Sequence, residues 1–103
     1  MKVAIYARVS TEDKGQDVEN QLIQLRDFCK ARNYEIYKEY TEQITGTGKK
    51  KRQVFEEMME DARKGKFDVL LVWSYDRFRR AGLKDIKYLL QLKEWGVKFI
   101  SYQ

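Results

Sequence analysis

Apolar residues recur in two patterns along the chain, and the first is typical of β-strands. Four short apolar segments, at 3–9, 34–40, 67–73 and 97–102, are rich in β-branched and aromatic residues. The first and third are almost continuously apolar, which predicts strands covered on both faces of a sheet. The second contains charged residues, which indicates partial exposure.

The second pattern is a spacing of three and four residues, which is typical of amphipathic helices. It occupies three segments between the strands, at 17–32, 54–62 and 83–95. Asp17 is available as the N-cap of the first helix, and Gly65 and Gly96 follow the other two, where they favour helix termination.

Strands that alternate with helices of this length predict an α/β fold with parallel strands and right-handed crossovers. We therefore expect a three-layer sandwich, with a mainly parallel β-sheet and helices on both faces. Strand order cannot be read from sequence alone, but the flavodoxin-like order 2-1-3-4 is the usual solution. The segment 41–51 has two glycines, three consecutive lysines and no apolar period, which predicts a mobile loop.

Length and composition narrow the class of protein. The 103 residues are 43% hydrophobic, which fits one folded domain over 1–103. The net charge of +5 favours a polyanionic partner, although many solvated domains carry a similar charge. No apolar segment reaches the roughly 18 residues of a membrane span, and no signal peptide is present, so we expect a cytoplasmic protein without a membrane partner.

The chain has no histidine and a single cysteine, Cys29. These counts exclude Ser-His-Asp hydrolysis, histidine-based zinc sites, an intramolecular disulfide and cysteine-cluster metal sites. Four carboxylates fall within 56–61, but they follow the polar side of the second helix. We expect no metal site and no cofactor.

Polar and arginine-rich residues follow the first and third strands. In an open parallel sheet of order 2-1-3-4, these two strand ends meet at a crevice where ligands bind. Arg8 and Ser10 are two residues apart on the first strand, so they are expected on the same face. Asp76, Arg77 and Arg80 follow the third strand. Guanidinium groups bind phosphate with two hydrogen bonds, and they could stabilise an alkoxide nucleophile.

Each of these signals has a simpler interpretation. Ser10 could be a turn residue, and the D-R-x-x-R segment could be a salt-bridged helix start. Arginines at a helix N-terminus oppose the helix dipole, however, which favours an anion nearby. The basic run of Lys49, Lys50, Lys51 and Arg52 could be a solvated surface or could contact DNA.

Taken together, the motifs resemble those of the serine site-specific recombinases, the resolvase/invertase family. The similarity covers essentially the whole chain, and the combination of its motifs is specific. The motifs are Tyr6-Ala-Arg-Val-Ser-Thr11, Gln21, the segment Gly46 to Arg52, and Asp76-Arg-Phe-Arg-Arg80.

The resemblance implies the N-terminal catalytic domain of a DNA recombinase. Ser10 would attack a DNA phosphodiester, giving a 5′-phosphoserine linkage and a free 3′-hydroxyl, and strand exchange and religation would follow without ATP or metal. Arg8, Arg77 and Arg80 would bind the scissile phosphate.

The resemblance also implies roles for three further residues. Asp76 would position groups or transfer a proton, and Gln21 would support the phosphate or the nucleophile. Arg52 matches the loop arginine of the family, although Gln53 replaces the proline that usually follows it. Ala81 also departs from the small polar residue that the family usually has at this place.

The family reaction takes place in a homo-oligomer, first a dimer and then a synaptic tetramer. A dimerisation helix and a DNA-recognition domain are expected outside this chain, so the isolated domain should be a monomer or a weak dimer. Resolution, inversion, integration and transposition all remain open as the biological outcome.

Two other functions remain possible. A receiver-like signalling domain has the same architecture, but it needs an acidic pocket where this sequence has arginines. A recombinase-derived module could also bind DNA or assemble without cutting it, although the complete set of Ser10, Arg8 and Arg77 disfavours that reading.

Overall fold

The computed structural model describes residues 1–10, 18–44, 53–73 and 86–103. Strands and helices alternate along this part of the chain. The elements are β1 (Lys2–Ser10), α1 (Val18–Ala31), β2 (Glu35–Ile44), α2 (Gln53–Arg63), β3 (Val69–Val72), α3 (Ile86–Glu94) and β4 (Lys98–Ser101).

The four strands form one parallel sheet of order β2-β1-β3-β4, which confirms the predicted topology. Tyr6, in the middle of β1, lies opposite Tyr40 of β2 and Val72 of β3. The pairing of β1 with β3 ends there, whereas the pairing of β1 with β2 continues to Ser10 and Ile44. β1 and β2 therefore extend together beyond the end of β3.

Alternate residues of the strands bury their side chains on opposite faces of the sheet, which produces two cores. Val3, Ile5 and Ala7 of β1 pack with α1. Ala4 and Tyr6 pack with α2 and α3. Helices therefore cover both faces, and the three-layer sandwich is confirmed.

The three helices of the described residues end in the same way. Asn33, Gly65 and Gly96 follow α1, α2 and α3 with φ of 59°, 75° and 78°. At the end of α2, for example, the amide of Lys66 donates to the carbonyl of Asp61 at 3.0 Å. The amide of Gly65 donates to the carbonyl of Ala62, also at 3.0 Å. This pattern is the Schellman motif, in which a left-handed residue stops the helix. The helix ends at Gly65 and Gly96 were predicted from the sequence, whereas the helix end at Asn33 was not. Asparagine tolerates this left-handed conformation better than most other residues.

One element differs from its prediction. The sequence predicts a mobile loop from residue 41, but residues 41–44 belong to β2, where they pair with residues 7–10 of β1. Backbone hydrogen bonds to the long β1 strand do not require an apolar period, so the polar residues gave no strand signal. The rest of that predicted loop, 45–51, lies outside the described residues.

In the described part of the chain, none of the helices has the length and apolar character needed to cross a membrane.

Candidate active site

The candidate site lies at the carboxyl edge of the sheet, between β1 and β3. The chain reaches β2 from β1 through α1 on one face, and β3 from β2 through α2 on the other. The strand order therefore reverses between β1 and β3, and the carboxyl ends of strands at such a reversal are where open parallel sheets bind their ligands.

The register of the sheet places Ser10 and Arg8 at this edge. Ser10 is the last residue of β1, four residues past Tyr6, where the pairing with β3 ends. At about 3.3 Å per residue, the backbone of Ser10 lies roughly 13 Å beyond the last pair with β3. Arg8 lies halfway along this extension. Both backbone positions therefore lie at the edge of the sheet where the strand order reverses.

The register also brings to this edge a residue that the sequence pattern did not predict there. Glu42 of β2 lies opposite Arg8 in the pairing of the two strands. The sequence assigned Glu42 to the loop predicted at 41–51, so its pairing opposite Arg8 was not predicted.

Gln21 is positioned by α1. Parallel strands require the connecting helices to run back antiparallel to them, so the first turn of α1 lies at the carboxyl end of the sheet. Gln21 is in the fourth position of α1 and only 4% exposed. The structure therefore places this buried amide at the same edge as Ser10, and its role at the site stays a prediction.

The remaining predicted site residues lie outside the described residues. These are Lys49, Lys50, Lys51, Arg52, Asp76, Arg77 and Arg80. Their positions in the sequence still relate them to the fold. Arg52 immediately precedes α2, and the D-R-x-x-R segment begins four residues after β3 ends and precedes α3.

Three carboxylates of α2 contact neighbouring polar side chains. Glu57 accepts a hydrogen bond from Lys38 at 2.9 Å, and Glu60 forms an ion pair with Arg63. Asp61 accepts a hydrogen bond from the hydroxyl of Tyr40 at 2.6 Å. Across 1–10, 18–44, 53–73 and 86–103, no three acidic or cysteine side chains are grouped so that they could hold a metal ion.

Cys29 is buried against β1 in the core of the α1 face. Its burial raises the pKa of the thiol, which disfavours the reactive thiolate. The single cysteine is therefore a core residue, as predicted, and not a nucleophile.

Comparison with known proteins assigns the family. The model of the protein family described as "Resolvase, N terminal domain" matches residues 3–103. The chain belongs to the resolvase N-terminal domain family. The resemblance seen in the motifs is thereby confirmed. No curated protein matches the chain.

Solved structures of the family share the fold. The N-terminal catalytic domain of TP901-1 integrase is 31% identical, with a TM-score of 0.79 over 98% of this chain and 76% of that one. A resolvase family site-specific recombinase from Streptococcus pneumoniae is also 31% identical, with a TM-score of 0.80 over 98% and 71%.

A more distant structure adds evidence on the fold alone. The C-terminal catalytic domain of ISC1926 TnpA, an IS607-like serine recombinase, is 24% identical, with a TM-score of 0.79 over 100% of this chain and 70% of that one. The fold of serine recombinase catalytic domains is therefore present in this chain.

Proposed function

We propose that this resolvase-type domain cleaves and rejoins DNA strands, with Ser10 as the nucleophile. The observation that supports this most is the position of Ser10 at the carboxyl end of β1, at the edge where the strand order reverses, in a chain of the resolvase family. Arg8 lies on the same strand two residues earlier.

The proposed reaction is a transesterification. The Oγ atom of Ser10 attacks the phosphorus of a DNA phosphodiester, and the bond from phosphorus to the 3′ oxygen breaks. The 3′ oxygen takes up one proton and Ser10 loses one, so the step is balanced without water. The phosphoserine ester conserves the energy of the bond, and attack by a 3′-hydroxyl reverses the step without ATP.

The arginines supply positive charge to the reacting phosphate. In the proposed mechanism, Arg8, Arg77 and Arg80 donate hydrogen bonds to its non-bridging oxygens, where negative charge grows in the transition state. Guanidinium groups suit this role because their charge is permanent and their donors are paired. Arg52 provides a further donor from the segment before α2.

Three other groups assist in this scheme. Asp76 positions the arginines or transfers a proton, and Gln21 supports the phosphate or the nucleophile from the first part of α1. The run Lys49 to Lys51 contacts DNA phosphates away from the cleaved bond, which adds affinity without sequence preference. The full reaction takes place in a dimer that pairs into a tetramer on DNA.

Covalent trapping on a nicked DNA substrate tests the proposal. The nick lets the released fragment diffuse away, so a serine recombinase accumulates as a covalent protein–DNA complex. We expect the wild-type protein to form this complex in the presence of EDTA, and Ser10→Ala to form none while its DNA affinity changes by less than about threefold. A complex that persists in Ser10→Ala would contradict the assignment of the nucleophile.

The same experiment separates the proposal from a module that binds DNA without cutting it. Such a module would bind the substrate with equal affinity in both forms, and neither form would give a covalent complex.

A further inference from the structure

Basic side chains are concentrated at the amino edge of the sheet, the edge where the strands begin. All four strands start there because they are parallel, and the described helices end there because they run back antiparallel to the strands. Backbone hydrogen bonds join the starting segments. The amide of Asp68 donates to the carbonyl of Lys2 at 2.8 Å, and the amide of Lys98 donates to the carbonyl of Asp68 at 2.9 Å. The amino edge comprises the segments 1–3, 30–36, 62–70 and 93–99.

The charges of the described residues are divided unequally between the amino edge and the rest of the domain. The amino edge has eight lysines and arginines against three acidic residues, whereas the other described residues include four basic and eight acidic ones. Arg63 is neutralised by its ion pair with Glu60. The other seven basic side chains are exposed and form no ion pair with another described residue. They are Lys2, Lys30, Arg32, Lys64, Lys66, Lys93 and Lys98.

Helix dipoles explain only part of this concentration of charge. The carboxyl end of a helix is partially negative, and nearby cations stabilise it. This accounts for Lys30 and Lys93, which lie in the last turns of α1 and α3. Lys2 and Lys98 are the first residues of β1 and β4, however, and β-sheets have only small net dipoles. A partner with negative charge explains the cations at the strand starts as well.

We propose that the amino edge is a second DNA-binding surface, which contacts the phosphate backbone of a duplex other than the one that reaches Ser10. The choice of DNA as the anionic partner rests on the function proposed above. Binding of this kind depends on charge alone, so we expect it to be independent of base sequence and strongly dependent on salt concentration.

The geometry of the sheet keeps the two duplexes apart. Lys2 begins β1 and Ser10 ends it, so their backbones lie about 26 Å apart at about 3.3 Å per residue. The two edges face in opposite directions, and a straight duplex against one edge does not touch the other. Lys2 and Lys98 are two strand spacings apart, or about 10 Å. Duplex DNA carries one negative charge per about 1.7 Å of its axis, so it offers phosphates to cations at this separation.

Lysine footprinting tests the surface directly. The wild-type protein is acetylated briefly, with and without a duplex of unrelated sequence, and mass spectrometry gives the labelling rate of each lysine. We expect the duplex to slow the labelling of Lys2, Lys66 and Lys98 at least about threefold at low salt, and this protection to disappear at about 0.5 M salt. Lys38 is the internal control, because it lies beside Glu57 outside the amino edge and should keep its labelling rate.

A charge-neutralising variant tests whether the surface binds a second duplex. The protein is first trapped covalently on a nicked substrate, so that the site at Ser10 is occupied, and the affinity of this complex for a labelled duplex is measured against salt concentration. Lys2→Gln combined with Lys98→Gln should reduce the steepness of log affinity against log salt concentration by about 1.8, since each phosphate contact contributes about 0.9. Lys38→Glu lowers the net charge equally but leaves the amino edge intact, so its slope should match the wild-type slope.

The cleavage rate separates this surface from the active site. At saturating nicked substrate, the combined variant should cleave within about twofold of the wild-type rate, because its substitutions lie at the opposite edge from Ser10. A loss of tenfold or more would overturn the separation of the two surfaces.

Unchanged labelling of the amino-edge lysines in the presence of DNA would overturn the inference, as would equal slopes in the combined variant and Lys38→Glu. Protection that appears without DNA as the protein concentration rises would also overturn it, because the amino edge would then bind the acidic side of a second copy. These results leave the proposed function standing, provided that the wild type forms its Ser10-dependent complex. Absence of that complex together with protection of the amino-edge lysines would overturn the proposed cleavage and leave the DNA-binding surface standing.

Discussion

The hydrogen bond between Tyr40 and Asp61 connects β2 with α2. The substitution Tyr40→Phe removes this hydrogen bond but keeps the aromatic ring. The hydroxyl of Tyr40 donates to the carboxylate of Asp61 at 2.6 Å, and Tyr40 is 1% exposed. Phenylalanine preserves the ring contact with Phe67, whose centroid is 6.2 Å away. The change therefore tests the hydrogen bond alone.

The expected loss of stability follows from the burial of the two partners. A hydrogen bond to a charged group contributes about 1.5–3 kcal/mol. Asp61 is partly exposed, so water can solvate its carboxylate once the hydroxyl is gone. We therefore expect the lower part of that range, about 1.5–2 kcal/mol, which lowers the midpoint of urea unfolding by about 1 M.

Urea unfolding of Tyr40→Phe, Asp61→Ala and the double variant measures this interaction directly. The double-mutant cycle should give a coupling of about 1–2 kcal/mol. Tyr37→Phe is the control, because Tyr37 lies on the same strand but is exposed. Its substitution should change the free energy of unfolding by no more than about 0.5 kcal/mol. If Tyr40→Phe were no less stable than Tyr37→Phe, or if the coupling were near zero, the hydrogen bond between Tyr40 and Asp61 would not contribute to stability as predicted.

Two further predictions concern acid stability and catalysis. Arg26 donates two hydrogen bonds to Glu39, at 2.5 and 2.8 Å, and these lower the pKa of the Glu39 carboxyl below 4.5. The free energy of unfolding should therefore be larger for the wild type than for Glu39→Gln above pH 4.5, and this difference should shrink as the pH falls below 4.5. A difference that grows on acidification would contradict this prediction. Arg77→Lys should slow single-turnover cleavage at least about 10²-fold, because lysine cannot bind phosphate through two donors; a loss below about threefold would make Arg77 a structural residue.

Most of the architecture was predictable from the sequence, because it depends on patterns that local residues create. The nearly continuous apolar run at 67–73 predicts a buried strand, and Gly65 and Gly96 predict the ends of α2 and α3. The strand order could not be read from the sequence alone, and 2-1-3-4 was expected because it is the usual order for an α/β sheet of this kind.

The features that sequence did not predict depend on contacts between distant segments. Residues 41–44 are a strand only because β1 offers backbone partners over its whole length, and Glu42 gains its place opposite Arg8 only through that pairing. The ring contacts of Phe55 with Tyr6 and Tyr88 join residues far apart in the chain. The apolar pattern marked Phe55 as a core residue, but it contained no information about which rings it would meet.

The candidate site could be predicted only in part for a similar reason. Converging strand ends and arginine-rich segments indicated a phosphate-binding crevice at β1 and β3. The roles of Arg52 and Gln21 came from the resemblance to the recombinases, because neither residue has a local pattern that distinguishes it from a surface arginine or a buried amide.

The position of the covalent bond in the trapped protein–DNA complex shows directly whether Ser10 is the nucleophile. Trypsin cleaves after Arg8 and Lys14, so the relevant peptide is Val9-Ser-Thr-Glu-Asp-Lys14. After nuclease treatment, fragmentation in a mass spectrometer distinguishes Ser10 from the neighbouring Thr11. If Ser10 is the nucleophile, a nucleotide will be attached to it through its 5′ phosphate. A nucleotide on Thr11, on another peptide or attached through a 3′ phosphate would overturn this assignment.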